Sequence, residues 1–206
     1  MKYTGPKFKL CRREQANIFG SQKYNVKKNR TLPGQHGWAM QRSSEYWKLL
    51  RNKQLLKRTY LLSEKQFSRI VKDIAGKISK NKWISHDIAL YQTLESRFDC
   101  IVYRAGFAKS ITQARQMVNH GHFILNGVKH NIPSTFLKPW DKVSIKAKLQ
   151  DSTLYNDILT NLKVKAPSRI KIDKNDHAIE VLSLPQKWEL WLAADLLKTI
   201  EFYARA

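Results

Sequence analysis

The chain has 206 residues, enough for one or two domains with a real core, and sets 38 Lys and Arg against 16 Asp and Glu, a formal net charge of +22. Self-repulsion of that size calls for a polyanion, so nucleic acid is the leading partner and an anionic membrane surface the rival; no apolar run approaches the ~20 residues that span a bilayer and no lipidation motif is present, so no membrane is expected. Two cysteines, Cys11 and Cys100, make no disulfide framework and fit a reducing compartment, and there is no apolar signal-peptide core.

Residues 1–43 show little regular periodicity. Lys7, Lys9, Arg12 and Arg13 crowd the start, Lys27, Lys28 and Arg30 follow, and Gly5-Pro6, Gly20-Ser21 and Pro33-Gly34 punctuate the stretch as loop. A disordered basic arm is one reading. Phe8, Leu10, Ile18, Phe19 and Tyr24 argue against it, because a solvating tail carries few aromatics. Pro33-Gly34-Gln35-His36-Gly37 lets the backbone turn tightly and approach another surface closely. On spacing alone it reads as an ordinary turn sooner than as a phosphate-contacting loop.

Residues 44–59 read as a helix. Ser44 caps it, Glu45 sits in its first turn, and Trp47, Leu49 and Leu50 form an apolar side opposite Lys48, Arg51, Lys53, Lys57 and Arg58. Residues 63–79 are a clearer helix, with a Ser63/Gln66 capping box and a 3,4-spaced stripe of Phe67, Ile70, Val71, Ile74 and Ile78. Gly76 costs about 1 kcal/mol against Ala there, so an early end is expected. A polar link with Trp83 covers 79–85, and a helical run from about His86 leads into the centre of the chain.

In 94–146, Leu94, Phe98, Ile101, Val102 and Ala105 recur at helical spacing and predict one helix, with Arg97 and Arg104 together on a different face. Glu95 and Asp99 on that helix are expected to pair with neighbouring basic groups. Gly106 ends it. Ser110, with Gln113 three residues on, opens a second helix whose Ile111, Ala114 and Val118 face inward while Lys109 and Arg115 point outward. Gly121 after His120 supplies the left-handed residue a helix C-terminus wants. Phe123-Ile124-Leu125, Asn126-Gly127 and Val128-Lys129-His130 predict a tight hairpin. Val143 and Ile145 alternate with Lys142, Ser144 and Lys146, a half-buried strand with a basic outer face. Such a two-helix, small-sheet unit gathers its cations on one side. That suits a phosphate backbone, since arginine's planar fork grips phosphate at two points and lysine supplies a point charge. A solvated charged face is the plainer alternative.

After Lys148, Leu154, Ile158, Leu159 and Leu162 suggest a helix. Ile170, Ile172, Ile179, Val181 and Leu182 suggest short strands around an Asn175-Asp176 turn, and Trp188, Leu190, Trp191, Leu192 and Leu196 are strongly apolar. Residues 1–60 hold fifteen Lys and Arg against two Glu, residues 96–148 nine against two, and residues 173–206 four against six acids. The case for an anionic partner therefore rests on the N-terminal and central stretches, and the acidic end suits packing on protein.

Leu94-Glu95-Ser96-Arg97, Val102-Tyr103-Arg104, Gln113-Ala114-Arg115-Gln116, Val118-Asn119-His120-Gly121-His122, Asn126-Gly127 and Ile132-Pro133-Ser134 together resemble the S4 RNA-binding domain. More narrowly they resemble the copy inside the bacterial-type small-subunit ribosomal protein S4 family. Met1–Pro6, Pro33–Gly37, Gln66-Phe67 and Glu201–Arg205 extend that resemblance over nearly the whole chain, most weakly over 149–200. It reverses the reading of Pro33–Gly37 in favour of an RNA-contacting loop. It implies an α+β protein: a basic N-terminal arm (1–43), a mostly helical domain (44–93, completed by 149–206) and an inserted S4 domain (94–148) of two helices on a small sheet. It further implies a primary rRNA binder that nucleates small-subunit assembly at a multi-helix junction of the 5′ domain, touches ribosomal proteins S5 and S3 beside the mRNA entrance, and influences decoding accuracy. The RNA contacts expected on this basis are Lys9, Arg12, Arg13, Gln35, His36, Arg97, Arg104, Lys109, Arg115, Asn119 and His120. The resemblance of Met1–Pro6 to the family's mature start implies synthesis where the protein works. That is a bacterial cytoplasm or an organelle encoding its own copy, a mitochondrion before a plastid.

Some residues depart from the family. Ile111 and Thr112 stand where further arginines are frequent, and Trp140 stands where a glycine is usual. Extra aromatics could stack on RNA or bury against protein; for Trp188 and Trp191 the local acidity favours protein. Some relatives carry a four-cysteine zinc cluster near the N-terminus. Only Cys11 is present there, and His120, His122 and His130 lack a convincing second pair of ligands, so neither metal nor cofactor is expected. No P-loop, dinucleotide or Gly-x-Ser-x-Gly motif appears, so no catalytic residue is assigned. A free S4-domain RNA-binding factor and an S4-domain RNA-modifying enzyme are the alternatives. The first lacks the Pro33–Gly37 motif and matching termini, and the second needs a catalytic domain that no remaining segment offers.

Overall fold

A computed structural model describes residues 3–20, 22–24, 26, 31–39, 44–80, 85–150, 152, 155, 166–173, 177–186, 189 and 194–205, with the side chains of 77–80 set aside. In chain order the elements are α1 (Lys7–Glu14), a 3₁₀ turn (Gln22–Tyr24), α2 (Glu45–Thr59), α3 (Glu64–Lys80), α4 (His86–Glu95), α5 (Phe98–Arg104), α6 (Ile111–Asn119), β1 (Phe123–Leu125), β2 (Val128–Lys129), β3 (Lys142–Ile145), α7 (Ala147–Gln150), β4 (Ile170–Asp173), β5 (Ala178–Val181) and α8 (Leu196–Arg205). They form an α+β protein of two compact units, Met1–Leu90 with Trp191–Ala206, and Tyr91–Leu190. The returning segment is thus divided: β4 and β5 join the central unit, and α8 joins the first.

In the first unit, α1 occupies a stretch that reads from sequence as loop. It starts behind Pro6 with no side-chain cap and has no acidic residue in its first turn. Packing supports it instead. Cys11 is buried, and Glu14 accepts hydrogen bonds from Arg51 (3.0 Å) and Arg58 of α2. α2 starts as its sequence predicts, with Ser44 Oγ accepting the Trp47 N–H at 3.2 Å. Most of its basic side does not face open water. Beyond Arg51 and Arg58, Lys53 and Lys57 donate to Glu64 at 2.8 and 2.7 Å, and Lys48 stays exposed. The α3 capping box forms in both directions: Gln66 N–H donates to Ser63 Oγ (3.3 Å) and Ser63 N–H to Gln66 Oε1 (3.4 Å). The early end expected at Gly76 does not occur, and the helix runs on to Lys80. Burial of Phe67, Val71 and Ile74 outweighs a glycine cost of about 1 kcal/mol. α8 buries Leu196, Thr199 and Phe202. Asn52 of α2 accepts the Asp195 N–H (2.8 Å) and donates to Thr199 Oγ1 (3.1 Å), which seats α8 on α2.

The second unit is built on an antiparallel sheet in the order β2-β1-β3-β5-β4. Phe123 pairs with Ile145, Leu125 with Val143 and Val143 with Ile179, so the inward positions line up across three strands. Phe98, Ile101, Val102, Phe107, Met117 and Val118 from α5, α6 and their link pack on that face, together with Tyr155 and Ile170. The Asn126-Gly127 hairpin forms as predicted, with positive φ at both residues (49° and 83°), which glycine accepts without strain and asparagine tolerates.

The single helix predicted from Leu94 to Ala105 is broken. α4 ends at Glu95, Arg97 is extended (φ −65°, ψ 141°), and α5 starts at Phe98. The backbone there pairs with a loop. Phe98 and Asp99 N–H donate to the carbonyls of Thr135 (2.8 Å) and Pro133 (3.2 Å), and Leu137 N–H donates to Ser96 C=O (2.8 Å). Arg97 and Arg104 therefore do not share a helix face. The apolar spacing survives because the inward residues still bury on one core. The predictions for Lys27, Lys28, Arg30, Trp83, the Leu154–Leu162 helix, the Asn175-Asp176 turn, Trp188 and Trp191 lie outside the described residues.

Candidate nucleic-acid interface

The arginines of the central unit divide into two ion clusters. Asp99, fully buried, accepts from Arg97 Nε (3.1 Å) and Nη2 (3.1 Å), from Arg115 Nε (2.8 Å) and Nη2 (2.6 Å), and from the Cys100 N–H (3.0 Å). Glu95, also fully buried, accepts from Arg104 Nε (3.0 Å) and Nη2 (2.8 Å) and from Arg169 Nη2 (2.6 Å), whose Nη1 reaches Glu189 at 3.2 Å. The expected pairing of Glu95 and Asp99 with basic neighbours is present. It occupies three of the arginines named above as RNA contacts. Arg97 is itself buried, whereas Arg104 and Arg115 keep part of their side chains in water. All three serve the fold.

A second set is exposed. Asn119 and His120 end α6, and Lys109 precedes its start, at opposite ends of the helix. Ser110 Oγ accepts the Gln113 N–H (3.3 Å), and Gln113 Oε1 reaches back to the Lys109 N–H (2.9 Å) one residue before the cap. At the other end His122 N–H donates to Met117 C=O (3.1 Å), closing the helix through Gly121 at φ +64°. The missing side chain at Gly121 matters. A methyl group there would lie 3.2 Å from Lys129 Cε and 3.7 Å from Lys146 Nζ, so Lys129 of β2 and Lys146, just after β3, converge beside Gly121. Burial, then the neighbouring His120 and Lys146, pushes the His122 imidazole below its ordinary pKa, and its Nδ1 shares a 2.9 Å hydrogen bond with the Tyr155 hydroxyl. His122 is thus a neutral support beneath the cationic surface. Lys129 was not singled out by sequence reasoning; hairpin register was the available signal, since Ile124 opposite Lys129 and Ser144 points to one shared strand surface.

In the first unit Lys9, Arg13, Gln35 and His36 are exposed. Arg12 is turned inward: its Nε donates to Thr31 C=O (2.9 Å) and its Nη2 to Thr31 Oγ1 (2.7 Å) and Leu32 C=O (3.1 Å). It fixes the approach to the Pro33–Gly37 turn, where Pro33 is buried and Gly37 N–H donates to Gly34 C=O at 3.3 Å. Arg12 therefore positions the loop that presents Gln35 and His36.

Both cysteines are buried and unpaired, and burial raises their thiol pKa values. Among the described residues, no group of three or more His, Cys, Asp or Glu is placed to hold a metal ion, and no helix is long and apolar enough to cross a membrane.

A helix pair closed over a hairpin sheet, with lysines and a histidine gathered at the end of the second helix, defines an S4-domain protein. Sequence comparison agrees: residues 96–143 match the S4 domain and residues 2–85 match the ribosomal protein S4/S9 N-terminal domain. The chain is 39% identical over 215 residues to the small ribosomal subunit protein uS4 of Thermotoga petrophila, covering 99% of each chain. It is 37% identical to that of Kosmotoga olearia and 38% identical to that of Latilactobacillus sakei, again over 99% of each. The chain belongs to the uS4 family of small ribosomal subunit proteins. It is accordingly a structural ribosomal protein and not an enzyme, and these relatives are bacterial.

Proposed function

We propose that this chain is a primary rRNA-binding protein of a bacterial small ribosomal subunit. It folds the 5′-domain multi-helix junction early in assembly, then stands beside S5 and S3 at the mRNA entrance and bears on decoding accuracy. The observation that carries the reading is the separation of cations by role. Arg97, Arg104, Arg115, Arg51 and Arg58 lock helices through buried carboxylates. Lys9, Arg13, Lys109, Lys129 and Lys138 remain exposed on the two units. A rigid scaffold with a mobile-ended lysine surface recognises a folded RNA by backbone geometry more than by base sequence. Bacterial relatives favour a cytoplasmic ribosome, and none of those named supports the organellar alternative.

Crosslinking followed by sucrose-gradient sedimentation tests the proposal. The chain is expected to travel with the small subunit at low and moderate salt and to crosslink to 5′-domain rRNA through both units. Sedimentation apart from the subunit at low salt would overturn it and favour a free S4-domain factor.

A further inference from the structure

Trp140 is the most conspicuous side chain that the rRNA reading leaves without a role. It lies in the turn between Leu137 and β3, with its backbone in the left-handed region at φ +73° and its residue surface 74% exposed. Neither fact is explained by folding. A tryptophan disfavours that backbone conformation, and an indole held in water gains little from burial. Yet the turn is firmly held. Trp140 N–H donates to Val181 C=O at 2.6 Å, and Val181 N–H donates to Asp141 C=O at 3.1 Å. The Asp141 carboxylate accepts the Lys138 N–H (2.7 Å) and the Asn126 side-chain amide (2.9 Å), while Asn126 Oδ1 accepts the Lys142 N–H (2.9 Å). The indole is thus displayed on a braced turn joined to the β1–β2 hairpin.

Its surroundings point to one kind of occupant. Lys138 and Lys142 flank it in sequence, both exposed, and the nearby Asp141 carboxylate is already engaged by Lys138 and Asn126. Glu180 stands opposite Lys142 in the sheet and is the acidic neighbour of the site. A flat aromatic surface between cations, on a rigid turn that loses little entropy on binding, suits an unpaired nucleobase whose sugar-phosphate runs past the lysines. We propose that Trp140 is a stacking platform for an unpaired rRNA base, adding sequence-tolerant affinity to the phosphate contacts made elsewhere. The proposal rests on the rRNA reading above.

The test uses the full chain and a transcribed 5′-domain fragment of bacterial small-subunit rRNA, with a shuffled RNA of equal length as control. Trp140→Gly removes the ring and suits the backbone, while Trp140→Tyr keeps a ring. Trp140→Gly is expected to lose about tenfold in affinity, the size of one stacked base, with the salt slope unchanged because no phosphate contact is lost. Trp140→Tyr is expected to stay within about threefold of the parent, since every aromatic face can stack. Thermal unfolding of both variants confirms that the fold is intact. Parent-like affinity in Trp140→Gly overturns the proposal, as does a loss accompanied by a flattened salt slope. Parent-like affinity with impaired incorporation into the subunit overturns it in favour of a protein neighbour. If the parent itself does not distinguish the rRNA fragment from the shuffled RNA, the rRNA reading fails first and the platform with it.

Discussion

Asp99→Asn isolates the part played by the central ion cluster. The substitution keeps the shape of the side chain but removes its charge and turns one acceptor into a donor facing guanidinium groups. Asp99 is 0% exposed and holds two arginines whose side chains are 5% (Arg97) and 15% (Arg115) exposed. Breaking a buried pair by removing one partner costs roughly 3–5 kcal/mol because the remaining charge is uncompensated. Arg115 can recover some hydration and Arg97 cannot, which places the expected loss near the lower end, about 3 kcal/mol. The damage should be local: α5 and α6 lose the charge that joins them, and the one remaining amide oxygen has to serve both the Cys100 N–H and the guanidinium groups. Native-state hydrogen exchange reads this element by element and does not require the whole chain to unfold in one step. Amides of α5 and α6 should exchange faster by that amount, while α2, α3 and α8 stay unchanged. A loss below about 1 kcal/mol, typical of a surface pair, would show that water reaches the cluster and that the arginines remain available to RNA.

Other outcomes follow from the same geometry. Trp140→Gly should raise stability by about 1 kcal/mol, by relieving the left-handed strain of a side chain that buries little, and a lower unfolding midpoint would contradict the strain argument. Partial burial opposes ionisation of Glu64, but hydrogen bonds from Lys53, Lys57 and Tyr203 outweigh it and hold the carboxyl down at about 2. The packing of α3 on α2 and α8 should therefore keep this contribution above pH ~4.5 and lose it as the pH falls toward 2, and exchange of α8 amides should lose that acid sensitivity in Glu64→Gln. Lys129→Ala with Lys146→Ala should weaken rRNA binding across RNA sequences alike and lower the salt slope by about two, while an unchanged slope would remove the pair from the interface.

Elements were legible in this sequence wherever their information was local. Ser44, the Ser63/Gln66 box, Ser110 and Asn126-Gly127 announce their elements within four residues, and each does so in the structure. β4 and β5 were readable from the alternation of Ile170, Ile172, Ile179 and Val181. α1 was not, because its support is Glu14 reaching residues 37 and 44 positions away. The break at Ser96–Arg97 was hidden for the same reason: its cause is a backbone segment near residue 135 that supplies acceptors to Phe98 and Asp99. A periodicity count registers which residues bury and cannot register a loop that replaces one helical turn.

The central stretch was legible as a cation-rich region, but the pairing of its individual arginines was not, and the carboxylates explain why. Glu14 holds Arg51 and Arg58, Glu64 holds Lys53 and Lys57, and Asp99 holds Arg97 and Arg115. A carboxylate offers about four lone-pair sites, so it can engage two cations at once. Each of these three groups as named is left with one net positive charge. Where Glu189 joins Glu95 around Arg104 and Arg169, by contrast, the charges balance. Scarce acids thus fix the helices without neutralising the surface field, and cations held by carboxylates still add to the potential that an anionic partner would meet. Composition senses that potential correctly, since net charge is blind to who pairs with whom. Assigning contacts requires knowing which cations a distant carboxylate has already claimed, and for Arg169, 74 residues from Glu95, only the fold supplies that.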